Sequence, residues 1–202
     1  MIDLKVITNR KLCPGEDVIG RLKYLVKNSH KSYGNSIFNM EAVILREKDL
    51  EIQFYERLLK EASELFSGTS IELYAHSHWK TAIDLDIKNI HMPFSHFNKI
   101  CEASKDKNDF LQGFQKIGIS VHSLEEALIC ESEGVDYVLY SHIFPTECKK
   151  YMKPKGLKSL NDITKKVIIP VYALGGIRAD NAHLAVEAGA KGVAIMSKFM
   201  EE

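Results

Sequence analysis

Histidines follow several of the apolar runs in this sequence, each close to the point where the run ends. His76 and His122 directly follow two of these runs, and His142 follows a third after a single serine. The imidazole side chain titrates near neutral pH and therefore suits proton transfer in catalysis. If the runs are strands of a barrel, their carboxyl ends meet at one rim, so the three imidazoles would surround one site. Ser123, with Glu126 three residues later, predicts a helix cap, which leaves His122 free to point into that site.

Two short stretches near the C-terminus are typical of anion-binding turns. Val171–Ile177 and Gly192–Ser197 each have the pattern of a buried strand, a turn of small residues and then a helix. Glycines let the backbone approach a ligand closely, and free N–H groups at helix starts favour an anion. In a (β/α)8 barrel the phosphate site lies after strands seven and eight. The residues expected to hold a phosphate are Gly175, Gly176, Met196 and Ser197, with Thr146 and Lys149 on a loop above them.

A charged triplet, Arg46–Lys48, follows the second apolar run. It is either a solvated charge cluster or, in a barrel mouth, a contact for an acidic group of a substrate. His76 and His78 have the alternate spacing of two metal ligands on one strand. A metal site would also need a carboxylate at another strand end, whereas Asp136 and Asp180 stand at a strand start and a helix start. We therefore predict that no metal is bound.

Eight apolar runs alternate with helical patterns along the chain. This alternation predicts a parallel sheet, and eight units favour closure, so residues 1–202 are expected to form a single-domain α/β protein, a (β/α)8 TIM barrel. The segment 94–116 is polar, and no helix is assigned there. The predicted strands are Leu4–Thr8, Ile37–Leu45, Ile71–Ala75, Lys88–Met92, Ile117–Val121, Tyr137–Tyr140, Ile168–Ala173 and Gly192–Met196. The predicted helices are Gln53–Phe66, Leu124–Glu133 and Ala179–Ala188, the last ending at a capping glycine, Gly189.

The amino-acid composition excludes several classes of protein. Lys plus Arg and Asp plus Glu number 27 each, so no global field would draw the chain to nucleic acid or to an anionic membrane. The four cysteines are scattered without a Cys-x-x-Cys pair, which fits reduced thiols rather than a disulfide framework. No secretory signal and no long apolar run is recognised. We expect a soluble, cytoplasmic protein with a small-molecule partner and neither a nucleic-acid nor a membrane partner.

Several motifs occur together along nearly the whole chain, most densely after Gly118. They occupy residues 118–127, 134–139, 143–146, 173–177 and 189–197, together with Leu45–Lys48 on the second predicted strand. In this combination they resemble the thiamin phosphate synthase superfamily. The resemblance implies a (β/α)8 barrel and a place in thiamin biosynthesis.

This superfamily has two branches, which differ in the residues that bind a metal. The synthase branch holds Mg²⁺ and pyrophosphate with an Asn-Asp pair after strand three and a Gly-Gln-Glu-Asp-like run after strand four. The present sequence has His76–His78 and Pro93–His96 at these positions, without a carboxylate. The loop after strand six departs as well, with Ser141-His142 in place of Gly-Pro. Because Mg²⁺ needs oxygen ligands, the comparison of motifs implies that the metal site has been lost.

The other branch, the TenI family of thiazole tautomerases, is more similar to this sequence. Its members lack the metal carboxylates, and they carry a histidine in a Ser-Val-His-Ser turn. A His-hydrophobe-Phe run then leads to Cys-Lys-Lys. These motifs correspond to Ser120–Ser123, His142–Phe144 and Cys148–Lys150. The family usually has an asparagine where His76 aligns, which implies an altered substrate contact at that position.

The resemblance implies an isomerase that converts a carboxythiazole phosphate to its aromatic tautomer without a metal or a cofactor. His122 would shuttle the proton, and Arg46 with Lys48 would face the carboxylate of the substrate. Two alternatives remain open, a Mg²⁺-dependent thiamin phosphate synthase and a catalytically silent regulator that binds a thiazole phosphate. A homodimer is compatible with the sequence. The other residues expected to bind the phosphorylated thiazole are Ser120, His142, Thr146, Lys149, Gly175, Gly176, Met196 and Ser197.

Overall fold

The computed structural model describes residues 1–28, 32–33, 36–147 and 150–201. Eight of the strands in this part of the chain run parallel and follow one another around a barrel. Helices separate them and return the chain to the opposite end. The strands are β1 Ile2–Ile7, β2 Ser36–Leu45, β3 Glu72–His76, β4 Asn89–Pro93, β5 Lys116–Val121, β6 Tyr137–Ser141, β7 Val171–Leu174 and β8 Gly192–Ile195.

Closure of the barrel depends on β1, which pairs in parallel with β2 on one side and with β8 on the other. The register places Val6 beside Val43 of β2 and Ile195 of β8. The remaining strands pair in chain order. A two-residue strand, Ser32–Tyr33, adds an antiparallel pair at the start of β2. The predicted single-domain (β/α)8 barrel is therefore confirmed.

The helices bury one face each against neighbouring elements. In the helix Ile52–Phe66 the buried residues Tyr55, Leu59, Ala62 and Phe66 recur with the helical period. Within the described residues, no helix is both long and apolar enough to cross a membrane. The helices are α1 Val18–Lys27, α2 Ile52–Phe66, α3 Trp79–Asp84, α4 Phe94–Glu102, α5 Ser104–Gln112, α6 Leu124–Ser132, α7 Gly156–Thr164, α8 Ala182–Glu187 and α9 Ser197–Glu201.

The segment 94–116, to which the sequence assigned no helix, contains both α4 and α5. Phe97, Ile100 and Phe110 are buried there, and the ring centroids of the two phenylalanines lie 6.0 Å apart. Contacts of a few buried aromatic residues therefore stabilise two short helices in this polar segment, as tertiary packing commonly does.

One strand and one helix near the C-terminus begin three residues later than predicted. The strand β7 begins at Val171 rather than at Ile168, whose side chain is 93% exposed. The helix α8 begins at Ala182 rather than at Ala179, because a turn precedes it. Gly189 follows this helix with a φ of +94°, the left-handed conformation expected of a capping glycine.

Alternate residues of each strand face the helices or the barrel interior, which gives the protein two apolar clusters. The larger cluster packs strands against helices. Lys5 is only 3% exposed within the interior, where its Nζ lies 2.8 Å from Glu41 and near three tyrosine rings. The interior therefore carries a packed aromatic layer towards the amino end of the barrel. The interior cluster consists of Ile7, Ala42, Ile44, Tyr74, Tyr137, Leu139, Tyr172 and Ala194.

Candidate active site

A cavity of about 500 Å³ opens at the carboxyl ends of the strands, where the sequence predicted the site. All eight strands contribute to its lining, through their last residues or the loops that follow. Lys149, also predicted to bind the ligand, lies outside the described residues. The predicted site residues that line the cavity are Arg46, Lys48, Ser120, His122, His142, Thr146, Gly175, Gly176, Met196 and Ser197.

The lining of this cavity is cationic. Arg46, Lys48, Arg178 and Lys198 belong to it, and none of the described lining residues is acidic. Burial lowers the pKa of Lys48, and the neighbouring charge of Arg46 adds to this effect. A cavity lined by one sign of charge concentrates ligands of the opposite sign, so an anionic ligand is favoured.

The first turn of α6 fixes the backbone of His122. The Oγ of Ser123 accepts the N–H of Glu126 at 3.1 Å, which confirms Ser123 as the capping residue. The carboxylate of Glu126 accepts the N–H of His122 at 2.6 Å, one residue farther back than in a standard capping box. The helix start therefore holds His122 at the rim, where it lines the cavity.

The ring of His122 is oriented by β6. Its Nδ1 lies 3.1 Å from both the carbonyl oxygen and the Oγ of Ser141. A carbonyl oxygen can only accept, so a hydrogen bond to it requires the proton on Nδ1 and leaves a lone pair on Nε2. No described residue makes a hydrogen bond to Nε2, and the side chain is exposed at the rim. This nitrogen is therefore accessible to a ligand as a base.

Two other imidazoles, those of His76 and His91, are buried and line the cavity. Their ring centroids lie 6.1 Å apart. Burial lowers the pKa of His91 to about 3, and burial together with nearby cationic groups holds the pKa of His76 well below its usual value. Both rings are therefore neutral at physiological pH. His91 is absent from the predicted site residues, although it lies one residue before the end of the predicted strand Lys88–Met92.

His142, a second predicted rim histidine, is held differently from His122. Its side chain is buried, and its Nε2 lies 3.2 Å from the carbonyl oxygen of Met152. Because a carbonyl only accepts, this bond places the proton on Nε2 and uses that nitrogen. His142 therefore joins the rim to the loop that contains Met152.

The three charged residues after β2 lie in two different environments. Arg46 and Lys48 line the cavity, whereas Glu47 is buried beside it and is not part of the lining. The Glu47 carboxylate accepts the hydroxyl of Thr8 at 2.7 Å and the N–H of Arg10 at 2.9 and 3.0 Å. Burial raises the pKa of this carboxyl group. The triplet is thus not a uniformly solvated cluster.

The loop after β7 has the geometry expected of an anion-binding turn. Gly175 and Gly176 have φ of +97° and +67°, conformations that L side chains rarely adopt. Within the described part of the chain, the N–H groups of Gly176 and Ile177 donate to no acceptor. Successive unpaired N–H groups in such a turn can bind an anion.

The two glycines also permit close packing of this loop against the loop after β6. A Cβ at Gly176 would collide with the carbonyl oxygen of Pro145 and lie 2.7 Å from that of Phe144. A Cβ at Gly175 would collide with the Cβ of His142. A methyl group at Gly176 would therefore point towards the loop after β6.

Asn181 stabilises this turn, and the sequence analysis did not identify it. Its Oδ1 accepts the N–H of Arg178 at 2.7 Å, and its Nδ2 donates to the carbonyl oxygen of Gly176 at 3.0 Å. Arg178 lines the cavity, and its guanidinium donates to both oxygens of Asp180, which raises the pKa of Arg178 and lowers that of Asp180. The asparagine three residues after Arg178 is a turn signal that could have indicated this contact.

The residues at the cavity do not fit a magnesium site. Ser77 has a φ of +66°, so the chain turns after His76, and the His78 ring lies 4.8 Å from the Tyr55 ring outside the lining. In the described residues, no three or more His, Cys, Asp or Glu side chains are placed to hold a metal ion. Carboxylate ligands of the kind Mg²⁺ uses are also missing from the described lining.

Comparisons with known proteins agree with this architecture. A family model described as "Thiamine monophosphate synthase" matches residues 4–199. The protein named "Putative thiamine-phosphate synthase 2" from Aquifex aeolicus is 33% identical, over 98% of this chain and 97% of its own length. The "Thiamine-phosphate synthase" of Clostridium acetobutylicum is 29% identical, over 98% and 86% respectively.

A solved structure shows the same fold. The thiamine phosphate pyrophosphorylase from Pyrococcus furiosus superposes with a TM-score of 0.75 and is 25% identical. The match covers 100% of this chain and 88% of that one. Because the family model extends from β1 to α9, the chain belongs to the thiamine monophosphate synthase family.

Proposed function

We propose that this protein is a thiazole tautomerase of thiamine biosynthesis, which isomerises a carboxythiazole phosphate to its aromatic tautomer. The observation that carries the proposal is the placement of His122. Its Nδ1 is bonded to Ser141, and its Nε2 is accessible at a cationic cavity. A single group of this kind can accept a proton from a bound substrate and then return it.

The reaction requires the transfer of one proton. Nε2 of His122 takes the proton from the ring carbon beside the carboxylate, and the electron pair of that bond moves into the ring. The double bond to the exocyclic carbon shifts at the same time, and the imidazolium returns the proton to that carbon. Substrate and product are isomers, so no electron acceptor and no second reactant is consumed.

The charges of the cavity would stabilise the intermediate. Loss of a proton beside a carboxylate increases the negative charge there, and preorganised cations at that point lower the barrier. Arg46 and Lys48 lie at the carboxyl end of β2, and the arginine fork matches a carboxylate in two parallel hydrogen bonds. The N–H groups of Gly176 and Ile177 would bind the phosphate, with Thr146 and Ser197 beside them.

Thiamine-phosphate synthase is the second candidate, and the names of the relatives favour it. Two proteins with synthase names match nearly the whole chain. That reaction uses Mg²⁺, and the described lining offers no carboxylate to hold it. No step of the mechanism can therefore be assigned to this metal, and the chemistry of the cavity favours the tautomerase.

The experiment is a direct assay in heavy water. Purified protein is mixed with the non-aromatic carboxythiazole phosphate, and aromatisation is followed by ultraviolet absorbance and by NMR. We expect rapid conversion, with the protium of the ring carbon recovered at least in part at the exocyclic carbon, because one imidazole carries it between the two positions. Coupling of a pyrimidine pyrophosphate to a thiazole phosphate, with no isomerisation, would instead identify a synthase. Binding of the thiazole phosphate without either reaction would identify a regulator.

A further inference from the structure

Hydrogen bonds in the barrel interior join the aromatic layer to the cavity. The hydroxyl of Tyr137 lies 3.0 Å from Nδ1 of His91, and Nε2 of His91 lies 2.8 Å from Oγ of Ser120. Tyr137 and His91 are both buried, while Ser120 lines the cavity. Gly118 makes room for this arrangement, because a Cβ there would collide with the Tyr137 ring. The three side chains therefore form one line from β6 through β4 to β5.

The direction of these bonds follows from the chemistry of Tyr137. Burial holds the pKa of its phenol well above the usual value, so the hydroxyl keeps its proton. Among the described residues, Nδ1 of His91 is its only hydrogen-bond partner. Buried polar groups are paired in folded proteins, so the hydroxyl donates to Nδ1.

Because His91 is neutral, the direction of its hydrogen bond with Tyr137 also determines the direction of its hydrogen bond with Ser120. With Nδ1 accepting, the single proton of the neutral imidazole is on Nε2, which then donates to Oγ of Ser120. Because Oγ of Ser120 accepts this bond, its own hydroxyl proton can be donated to another group. We infer that Tyr137 and His91 are positioning residues that turn the Ser120 hydroxyl into a hydrogen-bond donor towards an anionic oxygen of the ligand.

This arrangement selects the chemistry of the ligand at one point of the cavity. A hydroxyl held as a donor favours a carboxylate or phosphate oxygen, and the cationic lining favours the same groups. The choice of a carboxythiazole phosphate as that ligand rests on the proposed function. The order of the hydrogen bonds does not, since it follows from the protein alone.

The aromatic layer offers a matched control. The Nζ of Lys5 lies 4.3 Å from the ring of Tyr137 and 4.5 Å from that of Tyr172, and both rings belong to the interior cluster. Of these two tyrosine hydroxyls, only that of Tyr137 makes a hydrogen bond to His91. Tyr137→Phe and Tyr172→Phe therefore remove the same group from the same layer, but only the first removes the bond to His91.

The first test needs no ligand. In protein labelled with ¹⁵N-histidine, long-range ¹H–¹⁵N spectra show which ring nitrogen carries the proton, and His91→Gln assigns the signals. We expect His91 to be neutral around pH 7 with its proton on Nε2. Tyr137→Phe should let the Nδ1–H form appear, whereas Tyr172→Phe should not. A proton on Nδ1 in the native protein would overturn the inference, with no bearing on the proposed reaction.

The second test measures affinity for the aromatic carboxythiazole phosphate by calorimetry. Ser120→Ala should weaken binding by roughly tenfold or more, as for a lost hydrogen bond to a charged group. Tyr137→Phe should weaken it severalfold in the native background and not at all in the Ser120→Ala background, because it acts through Ser120. Tyr172→Phe should leave the affinity unchanged.

The outcomes of this cycle separate the two proposals. Independent, additive effects of Tyr137→Phe and Ser120→Ala would overturn the positioning role. Failure of the native protein to bind the thiazole would contradict the proposed function instead. The same cycle with inorganic phosphate as the probe would then decide whether Ser120 donates to an anion.

Discussion

The hydroxyl of Thr8 donates to a carboxylate oxygen of Glu47 across 2.7 Å, and this buried bond joins the carboxyl ends of β1 and β2. The Oγ of Thr8 in turn accepts the N–H of Arg46 at 2.8 Å. The backbone of Arg46 is therefore held by a carboxylate that does not itself line the cavity. Buried charges are retained where hydrogen bonds satisfy them, and the N–H of Arg10 completes this set.

The titration of Glu47 should appear in the stability of the protein. Burial raises its pKa, so the folded chain binds this proton more tightly than the unfolded chain. Its contribution is fully present below the unfolded pKa and is lost as the pH rises through the folded pKa. The free energy of unfolding of the native protein, relative to Glu47→Gln, should therefore fall as the pH increases from about 4.5.

Urea denaturation at a series of pH values measures this difference. Glu56→Gln, on the exposed face of α2, is the control for removing one surface carboxylate. If the native protein instead became more stable relative to Glu47→Gln as the pH increased over this range, the raised pKa of Glu47 would be wrong.

Substitution of Gly176 should affect the ligand site through the neighbouring loop. Gly176→Ala places a methyl group against the carbonyl oxygens of Pro145 and Phe144, in a conformation that disfavours L side chains. We expect weaker binding of the phosphorylated thiazole, since the displaced loop also carries Thr146 of the lining. Calorimetric titration of the variant with the thiazole phosphate measures this loss.

Gly134→Ala is a matched control for the backbone strain. Gly134 has a φ of +79°, and a Cβ there would meet no atom within 4 Å beyond its own residue and its two chain neighbours. Both variants should lose roughly 1–2 kcal/mol of stability from the left-handed conformation, measured by thermal unfolding. Affinity should fall in Gly176→Ala alone, and an unchanged affinity there would place the anion site elsewhere.

The barrel and most of the rim residues could be predicted because both depend on local patterns. Apolar runs define the strands, and the parallel topology then brings their carboxyl ends together regardless of the sequences of the loops. The contacts of His91 could not be predicted in this way, since its partners Ser120 and Tyr137 are 29 and 46 residues distant. The burial of Glu47 could not be predicted for a related reason. Its partners Thr8 and Arg10 lie in the loop after β1, 39 and 37 residues away in the sequence.

Removal of divalent metal should leave the isomerisation intact. No carboxylate is found among the described residues that line the cavity, so the proposed proton transfer depends on side chains and backbone N–H groups. Turnover of the carboxythiazole phosphate should be the same in excess EDTA as in buffer. Loss of activity with the chelator, restored by Mg²⁺, would reject the tautomerase and support the synthase.

Replacement of His122 is the sharpest test of the mechanism, because its accessible Nε2 is the proposed base. A general base contributes typically ~10²–10⁴-fold to rate, so His122→Gln should lower kcat by about that factor. Affinity should stay within severalfold, since the phosphate and carboxylate contacts remain. His142→Gln is the rim control: Nε2 of His142 is bonded to the Met152 carbonyl, so kcat should change little.

The other rim histidine completes this comparison. His76→Asn removes a buried neutral imidazole whose Nδ1 bonds to Ser77 at 2.9 Å, and it should change KM more than kcat. Near-normal kcat in His122→Gln, with activity abolished in His142→Gln, would move the proton shuttle to β6. If none of the three variants lowers kcat, these imidazoles are excluded as the base, whereas binding of the thiazole phosphate without turnover in the native protein would identify a regulator.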